Sequence, residues 1–232
     1  KARLFWESAI AGTWLTEHRA VRLTAFALLG LALGLAIAFV FYPPDDGYEG
    51  GVRFGLDFIL SWSTASLAAD GRAADVYNFN TLGSFQEGFT DYPGVRLPFA
   101  YPPTYLLVVY PLSLLTSYWI GFGAWFSSTG GGYLWALWRA WPNWRTLWIG
   151  AASPVTFIVL INGQNGFLIA ALMGGSLVLL PSRPMLAGVL MGAATIKPHL
   201  GILIPFAFMA GRQWTAFIWA AATALGLALA SA

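Results

Sequence analysis

No cysteine occurs anywhere in the 232 residues. That excludes disulfides, thiolate nucleophiles and cysteine-ligated metals. Histidine is nearly as scarce, with only His18 and His199, so a histidine-built metal site is not expected either. Charge is the third shortage. Asp, Glu, Lys and Arg make up 9% of the chain, against about 25% in an ordinary soluble domain. Acids stop altogether at Asp91, and beyond Leu97 the only basic residues are Arg139, Arg145, Arg183, Lys197 and Arg212. A formal charge of +2 spread this thinly makes no basic face, so nucleic acid is not an expected partner. The GxxxxGK phosphate loop, the GxSxG nucleophile elbow and the HExxH zinc pattern are all missing. A nucleotide-driven enzyme therefore has no support, and neither a cofactor nor a metal is implied.

What the chain has in excess is apolar surface: 58% of residues are hydrophobic and the mean hydropathy is +0.65. A water-facing exterior cannot be built from the remainder, whereas a lipid-facing one needs no charge. The expected fold is all-α, a polytopic transmembrane helical bundle. Residues 1–20 place Trp6, Ile10 and Trp14 at helical spacing among Lys1, Arg3, Glu7, Glu17 and Arg19, which predicts an interfacial amphipathic helix with a cytoplasmic N-terminus. Residues 21–42 form the first transmembrane helix, because Leu23 to Tyr42 is uncharged and its length covers the ~30 Å of hydrocarbon. Residues 43–100 are the one polar stretch and are expected to form an external loop with short helices, periplasmic if the resemblance given below holds. Within it Leu56–Ala69 reads as a helix stopped by Asp70-Gly71, with Phe58 and Trp62 suited to the membrane interface. Residues 101–232 form a multi-span region. The chain begins at Lys1 and ends inside an apolar run, so further residues are expected at both ends.

Several of the apolar runs after Tyr101 are shorter than the ~20 residues of a full span. Tyr101–Leu115, Tyr118–Trp138 (interrupted at Gly130-Gly131-Gly132), Thr146–Ile161, Gly166–Leu180, Pro184–Ile196 and Leu200–Ala210 read as short tilted spans or as half-helices broken within the protein. Alternation puts the basic breaks at 139–145, 183 and 212 on one side, cytoplasmic by the positive-inside rule. The breaks at 162–165 and 197–199 then join the 43–100 loop on the other side. If 101–115 and 118–138 both span fully, this order inverts.

Among these breaks lie the polar residues that could carry chemistry. Asp57 sits between apolar neighbours in Phe54-Gly55-Leu56-Asp57-Phe58. It suits a general base taking a proton from an acceptor hydroxyl, or a helix-start acid with no chemistry. Arg53, one turn earlier, is its candidate partner. Lys197 lies between long apolar runs and suits a phosphate as a point charge, or a lysine snorkelling to headgroups. Gln164 and Asn165, in Asn162-Gly163-Gln164-Asn165, offer amides to sugar hydroxyls, or form a tight turn. His199 could join Lys197 on a phosphate, or face the interface. Tyr101, before Pro102-Pro103, reads first as the start of a helix. Trp135, Trp138, Trp141 and Trp144 read as an interfacial belt, and Arg96 and Asp91 as solvated loop charges.

The order of these features resembles the family 87 glycosyltransferases. The resemblance rests on Gly55-Leu56-Asp57-Phe58, Ala69-Asp70-Gly71, Val76-Tyr77-Asn78, Phe99-Ala100-Tyr101-Pro102-Pro103, Tyr110-Pro111-Leu112, Asn162-Gly163-Gln164-Asn165, Ala187-Gly188-Val189-Leu190 and Lys197-Pro198. It implies a bundle of the GT-C type in a bacterial inner membrane. It implies transfer of a sugar, mannose above all, from a polyprenyl-phosphate donor to a glycolipid or glycan acceptor on the external face. Asp57 would be the catalytic base. Lys197 and Gln164 match recurrent polar positions of the family, and we read them, with Asn165, Tyr101, His199 and Arg53, as substrate contacts. The competing expectation is a non-catalytic membrane subunit that keeps this fold inside a larger complex. A transporter is a third, weakened by the lack of acids in the spans.

Overall fold

The computed structural model describes residues 16–41, 55–89 and 96–232, and every regular element among them is helical, as the all-α expectation requires. Residues 1–15 of the expected interfacial helix, residues 42–54 of the polar stretch with Arg53, and residues 90–95 with Asp91 lie outside the described residues. The first helix, α1, runs Glu17–Phe41. It takes in Glu17 to Ala20, so no separate amphipathic element ends at residue 20.

Helix α2 covers Leu56–Ala69, the bounds expected from the sequence. Gly55 starts it in the left-handed region at φ 75°, where glycine carries no Cβ penalty. Its end is a Schellman motif. The N–H of Arg72 donates to Leu67 O at 2.9 Å and that of Gly71 to Ala68 O at 3.2 Å, with Gly71 at φ 73°. Phe58 and Trp62 are buried in the core, not at an interface. Phe58 meets Tyr118 and Phe122 edge-on at 5.2 and 5.3 Å, and a Cβ at Gly121 would run into the Trp62 indole.

A short 3₁₀ turn, η1 (Ala73–Tyr77), leads to α3 (Phe79–Phe89). Asn78 caps α3, its Oδ1 accepting from the N–H groups of Asn80 at 3.1 Å and Thr81 at 3.2 Å. Next come α4 (Thr104–Val109) and the 3₁₀ segment η2 (Tyr110–Leu114), both packed on α2. The run 101–115 is therefore a pair of short pieces lying against α2.

Helix α5 (Tyr118–Ala140) passes unbroken through Gly130, Gly131 and Gly132. Those glycines read as an interruption because glycine weakens an isolated helix. Here tertiary packing overrides that cost. Gly130 lies against Phe167, and a Cβ at Gly132 would sit 2.9 Å from that of Ala171, on α8 (Gly166–Leu179). Between them α6 (Trp144–Ala151) and α7 (Pro154–Asn162) return along the bundle with a 49° bend. Helix α9 (Pro184–Ala193) continues as η3 (Ala194–Ile196), followed by α10 (Pro198–Gly201), α11 (Ile204–Ala210) and α12 (Trp214–Ala230). Gly188 and Gly192 of α9, four apart, meet Ala216 and Ala220 of α12, also four apart, backbone to backbone. This small-residue stripe is one way apolar helices pack closely without relying on hydrophobic exclusion from water.

These pairings orient the bundle. Helices α5 and α8 run parallel, as do α9 and α12, so the breaks holding Arg139, Arg145, Arg183 and Arg212 lie at the end opposite 163–165 and 196–199. Among the described residues no single helix is long and apolar enough to cross a membrane. Helices α6 and α7 pass that test together as a bent pair. The exterior is nonetheless rich in bare apolar side chains, among them Leu114, Ile202, Leu203, Phe206, Ile218 and Leu229.

A cleft built by two glycine turns

The first turn of α2, the extended segment 96–102, the turn 163–165 and the break 196–199 enclose a cleft of about 820 Å³. Asp57, Tyr101, Gln164, Asn165, Lys197 and His199 all line it. His199 thus borders the cleft, where the interface was the competing place for it.

Asp57 is put there by backbone contacts. The N–H of Gly55 donates to Ile161 O at 2.6 Å, and the Tyr118 hydroxyl donates to Gly55 O at 3.0 Å. Gly163, at φ 74°, closes α7 and lies so near this turn that a Cβ would be 2.8 Å from both Gly55 O and Phe58 N. Glycine is thus required twice at Gly163, for its torsion and for its contact. The two glycine turns bring Gln164 and Asn165 beside the first turn of α2. Helix geometry puts Ser61, four residues after Asp57, on the same face, and it too lines the cleft.

Asn165 occupies the N-cap of α8 but makes no capping bond. It is 5% exposed, and neither its Nδ2 nor its Oδ1 has a hydrogen-bond partner. Its amide is close enough to the Tyr101 and Tyr105 hydroxyls to perturb them, yet without hydrogen-bonding geometry. An unsatisfied buried amide costs about 1–3 kcal/mol. A donor and an acceptor left open together suit neighbouring hydroxyls of a sugar.

Lys197 follows η3, anchored by the fully buried Ile196, in the gap before Pro198. Its Nζ lies over the Tyr101 ring, 5.8 Å from the centroid. The other neighbour of that ring is Tyr105, stacked at 4.3 Å and 23°, whose hydroxyl shares a 2.8 Å hydrogen bond with Ser61 Oγ. Burial lowers the Lys197 pKa from its ordinary 10.5, and the charge of Asp57 partly offsets this. Burial raises the Tyr101 hydroxyl, with Asn165 opposing and Asp57 adding to the rise. Asp57 thus acts electrostatically on both Tyr101 and Lys197 across the cleft.

Three contributors escaped the sequence reading. Gln86 is wholly buried on α3. Its Oε1 accepts from the Leu97 N–H at 2.7 Å and its Nε2 donates to Leu97 O at 3.1 Å. This amide holds the 96–102 segment as a neighbouring strand would. Tyr77 and Phe99 form the outer wall. No helix is expected from the sequence around Gln86, and Tyr77 and Phe99 enter the sequence reading only within the fragments that carry the family resemblance. Arg96, read as a solvated charge, forms an exposed pair with Glu87 at 3.0 Å, which holds the Glu87 carboxyl below its ordinary range.

The cleft therefore offers one carboxylate, one half-buried ammonium, an imidazole, open amide groups and an aromatic wall. Among the described residues no cluster of His, Cys, Asp and Glu could hold a metal ion. The sequence model of glycosyltransferase family 87 matches residues 99–232, more than half of the chain. Tyr101, Gln164, Asn165, Lys197 and His199 fall inside that match, and Asp57 precedes it. No curated protein and no solved structure matches the chain.

Proposed function

The chain belongs to glycosyltransferase family 87, and from that premise we propose that its cleft moves a sugar, mannose in the first instance, from a polyprenyl-phosphate donor to a glycolipid or glycan acceptor. The fold is then a GT-C bundle in a bacterial inner membrane, with the cleft at the external face. The many bare apolar side chains on the exterior support this, since lipid-facing surfaces need no polar cover. So does the collection of Arg139, Arg145, Arg183 and Arg212 at the opposite end.

The observation that carries the reading is the convergence of Asp57 and Lys197, remote in sequence, on one cleft where the charge of Asp57 acts on Lys197. The acceptor oxygen attacks the anomeric carbon of the donor sugar, and the bond from that carbon to the phosphate oxygen breaks. Asp57 takes the proton from the attacking hydroxyl. The departing phosphate gains negative charge, which Lys197 offsets as a point charge in a partly desolvated site, with His199 beside it. Gln164 and the open amide of Asn165 hold the hydroxyls of the donor sugar. Tyr101 keeps the ammonium in place over its ring. A lipid-linked donor reaches such a site from the bilayer, so no nucleotide has to be bound.

The test is purified protein in lipid nanodiscs with a mixed glycolipid acceptor pool, given either a polyprenyl-phosphate mannose or a nucleotide-activated mannose. Transfer from the lipid-linked donor alone is expected. Transfer from the nucleotide sugar, or none from any polyprenyl-phosphate sugar, overturns the donor assignment.

A further inference from the structure

The chemistry above uses one side of the cleft. Its volume, about 820 Å³, is near the top of the ~300–1,000 Å³ typical of ligand pockets, and leaves room for a second ligand next to the donor. Tyr77, Phe99, Tyr101 and Tyr105 also line the cleft, and their rings differ in what they can still touch. Tyr105 is buried. Tyr101 lies between Tyr105 and the Lys197 ammonium. Phe99 is buried, with Tyr77 edge-on at 5.2 Å and 74°. Tyr77 alone among these rings stays half open, at 50% exposure.

Tyr77 is also fixed in place. Its hydroxyl donates to Tyr101 O at 3.2 Å. The turn that carries it is pinned by buried Val76, by the Arg72–Asp75 pair at 2.7 Å and by the Asn78 N–H on Asp75 O at 3.0 Å. A rigid, half-bare ring on the wall of a polar cleft suits a ligand with one apolar face and hydroxyls around its edge. A hydrocarbon chain would leave the polar wall unsatisfied. A pyranose satisfies both, its C–H face on the ring and its hydroxyls toward the polar wall.

We infer that Tyr77, backed by Phe99, is the acceptor subsite, a shelf on which a pyranose lies so that one of its hydroxyls faces Asp57. The acceptor group is then a sugar and not a bare lipid headgroup. Its role as acceptor rests on the transferase reading; the binding of a pyranose at Tyr77 does not.

Saturation-transfer NMR with octyl α-mannopyranoside as probe separates the two. Wild type, Tyr77→Ala and Tyr77→Phe are compared in nanodiscs, and transfer is assayed on the same preparations. Saturation centred on the ring C–H protons is expected in wild type and in Tyr77→Phe. Binding about tenfold weaker is expected in Tyr77→Ala, with the donor KM unchanged. Equal binding by wild type and Tyr77→Ala overturns the shelf, as does loss in Tyr77→Phe matching that in Tyr77→Ala. Tyr77-dependent pyranose binding by a wild type that transfers from no donor would refute the transferase reading and keep the shelf.

Discussion

Replacing Gly163 with alanine adds a single carbon at the point where the cleft is assembled. Two costs follow from the structure. A non-glycine residue at φ 74° pays about 1–2 kcal/mol for the left-handed conformation. The new carbon would also sit 2.8 Å from Gly55 O and Phe58 N, both backbone atoms that cannot rotate away. Overpacking of that kind adds about 1–3 kcal/mol. Gly71 provides the control. It has nearly the same torsion, φ 73°, and nothing within 4 Å of an added Cβ, so Gly71→Ala carries the torsional cost alone. Unfolding in detergent, followed by intrinsic tryptophan fluorescence, should rank Gly163→Ala below Gly71→Ala by about 1–3 kcal/mol. Transfer should separate them further. Relief of the clash moves the Asp57 turn away from Gln164 and Asn165, and a displacement near 1 Å costs about a hundredfold in rate. Equal destabilisation by the two substitutions, with transfer intact in Gly163→Ala, would refute the claim that these turns position the site.

Two further predictions follow from the same geometry. Lys197→Met should abolish most transfer without lowering stability. Burial depresses the Lys197 pKa, so its charged form opposes folding below the folded pKa, and that penalty fades as pH rises through it. By the same shift, the alkaline limb of the wild-type rate profile should fall below pH 10.5 and be missing in Lys197→Arg, while a wild-type limb unchanged in Lys197→Arg would exclude the lysine. Gln86→Leu removes both bonds to Leu97 and leaves that peptide unpaired, costing about 1–3 kcal/mol. Thermal unfolding should show the loss and the acceptor KM should rise as the 96–102 segment loosens; a Tm within error of wild type would deny Gln86 this role.

How far the sequence reached is clearest at α2. Its apolar run, its glycine start and its Asp70-Gly71 stop are local features, and local features are what a single sequence displays. Placing the 162–165 and 197–199 breaks at one end followed from the alternation of apolar runs along the chain, again a linear pattern. What failed was tertiary. The glycines at 130–132 signal a break on propensity, and only the close approach of Phe167 and Ala171 makes them the means by which two helices meet. Phe58 and Trp62 read as interfacial because burial by α5 is invisible in their own segment. Tyr77 and Phe99 reach the cleft through a turn and an extended segment, which have no periodicity to read, and Gln86 acts on a backbone peptide eleven residues away.

The most direct test of the account compares wild type with Asp57→Asn in transfer from polyprenyl-phosphate mannose, with matched unfolding curves as the folding control. The substitution keeps the side-chain shape and removes the proton acceptor. A rate lower by about a hundredfold to ten-thousandfold, in a protein as stable as wild type, is the expected result. Equal rates in the two proteins would contradict the assignment of Asp57 as base, and with it the mechanism built around this cleft.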